Sequence, residues 1–332
     1  MAEYHAKRFA GIEGATVAAV CDHSVEKARD FASACGIGSF FGDPADMAAS
    51  GSVDAISVAA YDGWHLDPVL AAADRGLPVF CEKPMARRLR DATAMAEAVL
   101  RAGVPAVVNF SKRNGGLLGL ARRMIADGGL GALRSAEFRY LQSWLLQDAW
   151  GDWRSTPRWK WRLSESQSTY GAVGDLGSHL FDAALFLLGD CEIRGCASRR
   201  FAAGPDADCD LPGGPSCESF QAILTARTGH AAVSGSWRAR GKLDAFAATL
   251  YGETAAIDID FGRSRTALLR YVAPGEAGSP VEAPKTASTY ERFVALARGA
   301  SDPVVGEPID FAQGVEVQRL VEACGSCAES PR

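Results

Sequence analysis

Ala15-Thr16-Val17-Ala18-Ala19-Val20-Cys21-Asp22 is an apolar, partly β-branched run closed by a carboxylate, and Ser24 to Cys35 behind it carries helical spacing. Ser24 suits the N-cap of that helix and Gly36 its stop. The same rhythm continues outward. Val53 to Ala59 precedes a helical segment from Leu66 to Arg75 that stops at Gly76, and Val79 to Cys81 precedes Asp91 to Ala102, which stops at Gly103. Val104 to Phe110 is a fourth apolar run. Strand and helix alternating at this spacing predict βαβ units, hence a parallel, doubly wound sheet with right-handed crossovers. Continuous apolar strands fit a sheet covered on both faces.

Beyond Phe110 the pattern changes. A helix over Leu117 to Ala126 and the pair Gly128-Gly129 lead into long alternating runs: Leu133–Leu141, Ser219–Ala226, Ala231–Arg238, Ala245–Tyr251 and Ala255–Asp260. Strands in succession without helices predict an open, mainly antiparallel sheet. Ala202 to Pro215 is rich in Gly, Pro and Asp and reads as an exposed loop, and helices are expected over Tyr290–Arg298 and Phe311–Ala328. The fold class is therefore α/β, with one domain over residues 1–110 and a second, open-sheet domain over residues 111–332.

The chain's 332 residues suit two such domains. A net charge of -5 argues against a nucleic-acid partner, and no stretch has the roughly 18–20 apolar residues that span a bilayer. Arg154, Arg158, Lys160 and Arg162 gather locally, but tryptophans and Asp152 are mixed among them, which suits a small-ligand wall better than a phosphate track. The polar N-terminus is unlike a signal peptide, and nine scattered cysteines fit reduced thiols in a cytoplasmic protein. Cys324-Gly325-Ser326-Cys327 is a C-x-x-C, but with no second pair and no strand before it a metal or redox role is not expected.

Three groups of residues carry chemistry. The first is Val79-Phe80-Cys81-Glu82-Lys83-Pro84, an apolar strand running into two charges. Ligands bind at the carboxyl ends of strands in open α/β sheets, where Lys83 could hold a hydroxyl oxygen and stabilise an alkoxide; a solvated lysine is the plainer alternative. The second is Gly174-Asp175-Leu176-Gly177-Ser178-His179-Leu180-Phe181-Asp182. On a helix Asp175 and His179 share a face, so a carboxylate can orient an imidazole for proton transfer; an N-capping aspartate with a core histidine has the same spacing. Adding Asp182 gives two carboxylates and one imidazole, too few for a metal site. The third holds five of the seven tryptophans, Trp144, Trp150, Trp153, Trp159 and Trp161, within eighteen residues. Aromatic faces stack on sugars and nicotinamide, although some of these side chains will simply pack against the sheet.

Together these residues resemble the Gfo/Idh/MocA (glucose–fructose oxidoreductase / inositol dehydrogenase) family over nearly the whole chain. Glu82-Lys83-Pro84 is similar to its E-K-P motif, Gly174-Asp175 through His179 to its D-x-x-x-H element, and Val53-Asp54-Ala55-Ile56 with His65 to the strand and histidine that line the cofactor edge. The resemblance implies a Rossmann domain, an NAD cofactor, and an open sheet that forms a homodimer or homotetramer. It further implies that Lys83, Asp175 and His179 are catalytic, with Arg113 and Trp144 beside the substrate. Ala60, Tyr61, Asp62, His65, Glu82, Lys83, Trp161 and Arg162 fall at cofactor-contacting positions, with Asp22 and His23 at the adenosine end. Where the family has T-P-N this chain reads Ala60-Tyr61-Asp62, so its asparagine contact has no counterpart. Asp22 would accept from the ribose hydroxyls and repel a 2′-phosphate, favouring NAD, while His23 and Lys27 keep NADP possible.

One element of that pattern has no counterpart. A dinucleotide-binding sheet opens on a strand and a G-x-G-x-x-G turn, whereas this sequence begins on a helical pattern, Met1 to Phe9. Counting back from Asp22 places the glycines before Met1, with Ala2 in the third-glycine slot, so the first strand is expected to be missing. A start assigned too late and a chain that lacks its phosphate grip both give this pattern. The expected substrate is a sugar, polyol or cyclitol. NAD-assisted glycoside cleavage and a non-catalytic sugar or dinucleotide sensor are the rival functions.

Overall fold

The computed structural model describes residues 1–147, 150–202, 211–304 and 306–328. The chain parts into two units, Met1–Phe110 with Ala287–Val315, and Ser111–Thr286 with Glu316–Arg332. Ala287–Val315 thus belongs to the first unit, although the sequence pattern put it in the second. The cause is apolar packing: Tyr290, Phe293 and Ile309 join Phe80 and Val107 in one core cluster, with Phe9 and Ile12 against it.

In the first unit the chain runs α1 (Ala2–Ala10), β1 (Ala19–Cys21), α2 (Val25–Cys35), β2 (Ser39–Phe41), α3 (Pro44–Ala49), β3 (Ile56–Val58), α4 (Leu66–Asp74), β4 (Val79–Cys81), α5 (Leu89–Ala102) and β5 (Ala106–Val108). The Ser24 hydroxyl accepts from the Lys27 amide at the start of α2, and Gly36 closes that helix in the left-handed region. The pairings among these strands are parallel, as expected, and form two sheets, β1–β2 and β3–β4–β5. Among the described residues no ladder joins β1 to β3. Val58, Cys81 and Val108 lie level in the second sheet, so the residues after them emerge along one edge. A short helix, α9 (Thr289–Ala297), carries Tyr290 and starts with a capping box between Ser288 and Glu291.

The second unit contains α6 (Leu117–Ala126), β6 (Leu133–Leu141), α7 (Pro157–Lys160), a π-turn (Val173–Gly177) leading directly into α8 (Ser178–Leu188), and seven more strands. These are β7 (Cys191–Arg200), β8 (Cys217–Ala226), β9 (Gly229–Ser236), β10 (Ala245–Gly252), β11 (Ala256–Asp260), β12 (Ala267–Tyr271) and β13 (Ser279–Glu282). α10 (Phe311–Ala328) ends the described chain. The sheet order is β13-β12-β11-β10-β6-β9-β8-β7. Every pairing is antiparallel except β6 with β9. β7, β12 and β13 were not expected from the sequence. β7 and β13 are edge strands, where charged residues and proline replace the apolar alternation that marks a central strand. The middle of the expected loop, residues 203–210, lies outside the described residues.

α8 is buried along its whole length, and its inner surface is almost wholly apolar. Asp182 sits in this helix with its side chain 1% exposed, a position where an isolated carboxylate would be costly. Arg113 resolves the problem. Its Nε and Nη2 donate to the two Asp182 oxygens at 2.7 and 2.8 Å, and its guanidinium lies 3.5 Å from the Phe186 ring centroid. Removing one partner strands the other charge, so Arg113→Met should destabilise the protein by about 3–5 kcal/mol. Replacing both residues, as in R113M/D182L, should recover most of that loss. Urea unfolding of the two variants checks this, and wild-type stability in Arg113→Met would contradict it.

Candidate active site

The edge above β4 is organised around Glu82. This carboxylate is 6% exposed. His5 Nε2 donates to its Oε1 at 2.8 Å and Asn109 Nδ2 donates to the same oxygen at 2.6 Å. The Lys83 amide donates to Oε2 at 3.2 Å. Asn109 is held in turn by Thr289 Oγ1, which donates to its Oδ1 at 2.8 Å, and by the Tyr290 hydroxyl at 3.2 Å. His5 Nδ1 reaches Ser57 Oγ on β3 at 2.8 Å. Burial alone would raise the Glu82 pKa, but His5, Asn109 and Lys83 outweigh it and hold the carboxyl below its ordinary value. Glu82, expected to touch cofactor, is therefore the buried support beneath Lys83, which is itself half-buried and joined to Pro84 by a cis peptide bond.

Six of the other cofactor candidates, Asp22, His23, Ala60, Tyr61, Asp62 and His65, lie beyond β1 and β3. Asp22 Oδ1 accepts from the Ser24 amide at 2.9 Å and lies 3.2 Å from His23 Nδ1. The His23 ring meets Trp64, from the turn after β3, with centroids 4.9 Å apart. Trp64 was not anticipated, because nothing in its local sequence separates it from a surface aromatic. Tyr61 and Ala60 are exposed and Asp62 is buried. His65 is 1% exposed, with Nδ1 3.1 Å from the Met85 carbonyl and Nε2 3.0 Å from the Ala60 carbonyl. It pins the two loops together rather than offering a nitrogen to a ligand.

In the second unit the β6–β9 pairing sets the geometry. Because these strands are parallel, their carboxyl ends coincide, with Leu141 opposite Ser236. β10 starts at the same end, with Ala245 opposite Leu141. Tyr140, Gln142, Trp237 and Asp244 consequently converge where the π-turn meets α8. Trp237 Nε1 donates to Asp175 Oδ2 at 3.2 Å, and the Tyr140 and His179 rings pack edge to face at 5.8 Å. Gly174, just before Asp175, has no room for a side chain: a Cβ there would lie 2.0 Å from the Thr169 carbonyl oxygen. π-turns of this kind gather at functional sites.

Behind His179 lies a second polar group. The Tyr140 hydroxyl donates to Asp244, Gln142 Nε2 donates to Asp244 Oδ1 at 3.2 Å, and Lys112 Nζ lies 3.4 Å from Oδ2 and 4.5 Å from the Tyr140 ring centroid. Burial and then the charges of Asp244 and Asp175 push the Tyr140 phenol well above its ordinary pKa, so it stays a donor. Burial would raise Asp244 as well, but Lys112, Tyr140 and Gln142 prevail and keep it low. None of these four residues stood out in the sequence.

Arg113, expected beside the substrate, gives its Nε and Nη2 to the buried carboxylate of Asp182. Asp182, weighed as a metal ligand, is occupied by the same pairing. Trp144, also expected at the substrate, is 4% exposed and packs between the tilted rings of Trp159 and Trp237, with centroids 5.8 and 5.2 Å away. Trp153 is buried against Phe201, while Arg162 lies over the half-buried rings of Trp159 and Trp161.

The residues after β1 and β3 suit the adenosine end of a dinucleotide: an accessible carboxylate at Asp22 and an exposed aromatic pair at His23 and Trp64. Residues 1–110 match the oxidoreductase family with NAD-binding Rossmann fold, and residues 119–258 match the GFO/IDH/MocA C-terminal domain. The chain belongs to the Gfo/Idh/MocA family. Its first unit is the NAD-binding domain of that family. The chain is 31% identical over 140 residues to levoglucosan dehydrogenase of Pseudarthrobacter phenanthrenivorans, covering 42% of this chain and 34% of the relative. It is 36% identical over 124 residues to inositol 2-dehydrogenase of Klebsiella pneumoniae, covering 36% of each. A solved levoglucosan dehydrogenase in complex with NADH superposes with a TM-score of 0.81 at 22% identity, covering 99% of this chain and 94% of that one, a likeness of fold. The chain spans about half the length or less of the curated Gfo/Idh/MocA relatives named here. Among the described residues no helix is long and apolar enough to cross a membrane.

The two carbonyls around His65 both accept, so both ring nitrogens must carry protons to satisfy them. Burial disfavours the charged ring, yet the Cys81 sulfur, Asp62 and the Ala60 carbonyl prevail and raise its pKa from 6.5 to about 10. A raised histidine contributes stability that is complete below pH 6.5 and is lost as pH climbs through about 10. The melting temperature of the wild type should therefore fall more steeply over that window than that of His65→Gln. Parallel slopes for the two proteins would show the ring to be neutral.

Proposed function

We propose that the protein is an NAD-dependent dehydrogenase acting on a secondary hydroxyl of a sugar, polyol or cyclitol. The observation that carries this reading is the setting of Asp175 on the π-turn and of His179 at the start of α8. Asp175 is held by the indole N–H of a fully buried Trp237, and His179 is packed one turn later against Tyr140. An imidazole placed so, with a carboxylate on the same helical face, can take a hydroxyl proton and be stabilised once charged. Lys83 supports the other half of the reaction. Its backbone is fixed through Glu82, and its ammonium can hold the substrate oxygen and stabilise developing alkoxide charge. A bound nicotinamide supplies the hydride acceptor, so the alcohol becomes a carbonyl and one proton is released. Asp22 favours NAD over NADP, since a carboxylate accepts from two ribose hydroxyls and repels a phosphate.

The relatives named levoglucosan dehydrogenase and inositol 2-dehydrogenase support a polyhydroxylated ring as the substrate class. Trp159 and Trp161, half-buried beside Arg162, offer the flat faces and donors that such rings use. NADH formation from NAD with levoglucosan, myo-inositol and a panel of pyranoses tests the reading. Lys83→Ala and His179→Ala should each lower kcat/KM by roughly 10²–10⁴-fold. Trp237→Phe should act through Asp175, lowering kcat more than it changes KM. Undiminished turnover in Lys83→Ala would sink the role given to that residue, and NAD binding without turnover of any panel member would favour a sensor.

A further inference from the structure

The sequence offered Cys324 only Cys327 as a neighbour, and the side chain of Cys327 lies outside the described residues. The fold supplies a different one. Cys196 on β7 and Cys324 on α10, 128 positions apart, bring their Sγ atoms within 2.9 Å, and neither is in a disulfide. An S–S bond is about 2.05 Å long, so small side-chain rotations suffice to close it. The pair is asymmetric: Cys324 is wholly buried, while Cys196 is half-buried on the edge strand of the sheet. A cleft lined by Tyr170, Ser198, Cys217 and Gly325 opens beside β7 and α10.

We propose that Cys196 and Cys324 form an oxidation site that takes a hydroperoxide and closes to an intramolecular disulfide. The Cys196 thiolate attacks one peroxide oxygen, the O–O bond breaks, and the departing hydroxide takes up a proton as water, leaving a sulfenic acid on Cys196. The Cys324 sulfur then attacks the Cys196 sulfur. The S–O bond breaks, the S–S bond forms, and the hydroxide leaves with the Cys324 proton as a second water. Two thiols lose two electrons, and hydrogen peroxide, the simplest such oxidant, becomes two waters.

Neighbouring thiols explain the selectivity. The hydrogen bond from Cys324 holds the Cys196 thiol below its ordinary pKa despite its burial, which favours the thiolate. Burial instead pushes Cys217 up to about 12 and Cys191 to about 11, keeping both as unreactive thiols. The bond would also fix a segment close to Asp175. Gly325 follows Cys324 and lies against the Tyr170 ring so closely that a Cβ there would be 2.3 Å from it. Tyr170 is held at φ 53 and is followed by Gly171, whose carbonyl accepts from the Asp175 amide at 2.9 Å. This last consequence rests on the function proposed above, whereas the oxidation site itself does not.

The test uses the reduced full-length chain treated with hydrogen peroxide, followed by alkylation of remaining thiols and non-reducing peptide mass spectrometry. The expected product is a peptide pair joined through Cys196 and Cys324, reversed by dithiothreitol and absent in Cys196→Ser. The oxidised wild type should also melt roughly 4 °C or more above the reduced protein, a shift that Cys196→Ser lacks. Cys324→Ala serves as a second variant should Cys196→Ser fold poorly, and the wild-type peptide map decides the matter by itself. Full alkylation of Cys196 and Cys324 after peroxide has consumed the exposed Cys35 would overturn the proposal, as would a link that forms only in urea. No readout depends on sugar turnover, so failure here leaves the dehydrogenase reading separately testable.

Discussion

A carboxylate placed at the end of a buried strand must be compensated, and in this protein the compensation of Glu82 organises the NAD-binding domain. Its partners come from α1 through His5 and from the residue after β5, Asn109, which ties in α9 through Thr289 and Tyr290. His5 extends the same network to β3 through Ser57. Because the amide of Lys83 donates to the same carboxylate, the position of the lysine backbone depends on all these elements at once. The aromatic cluster of Phe80, Tyr290, Phe293 and Phe9 below excludes water and so strengthens the hydrogen bonds it surrounds. Burial and polar pairing cooperate here: the apolar layer makes the charge expensive, and the network answers that expense.

Local order was well written in the chain. Ser24 and Gly36 bound their helix where capping chemistry says they should, and Leu117–Ala126, Leu133–Leu141 and Phe311–Ala328 fold over the residues that periodicity marks. Short elements were less legible. β2 and α3 span three and six residues, too few to establish a period. β7 carries glutamate, glycine and arginine because an edge strand meets solvent, and so it lacks the pattern of a core strand. The expected division at Phe110 located a unit boundary but missed the return of Ala287–Val315, since the packing of Tyr290 under Phe80 joins residues far apart.

The candidate residues of each unit divide in the same manner. Lys83, Asp175 and His179 could be singled out because each stands in a short motif. Their supports could not, because each pairing is long-range: Trp237 to Asp175 spans 62 residues and Asn109 to Tyr290 spans 181. Arg113 shows the opposite case. The family resemblance alone set it beside the substrate, and only the packing of α8 reveals the buried carboxylate that its Nε and Nη2 serve. Charge in a sequence announces a need for a partner without saying whether that partner is substrate or protein.

The parallel pairing of β6 with β9 carries a consequence for the order of folding. The β7–β8 and β8–β9 ladders join strands that follow one another in the chain, but β6 must find a strand that begins at Gly229 after the whole α8 region has been made. Closing so long a loop is entropically costly, and such contacts come late. Tyr140, Trp237 and Asp244 meet around His179 only once that register is set. A partly folded chain can therefore hold α8 and the neighbouring hairpin before Tyr140, Trp237 and Asp244 have gathered, so the environment of His179 reports completed assembly of the sheet.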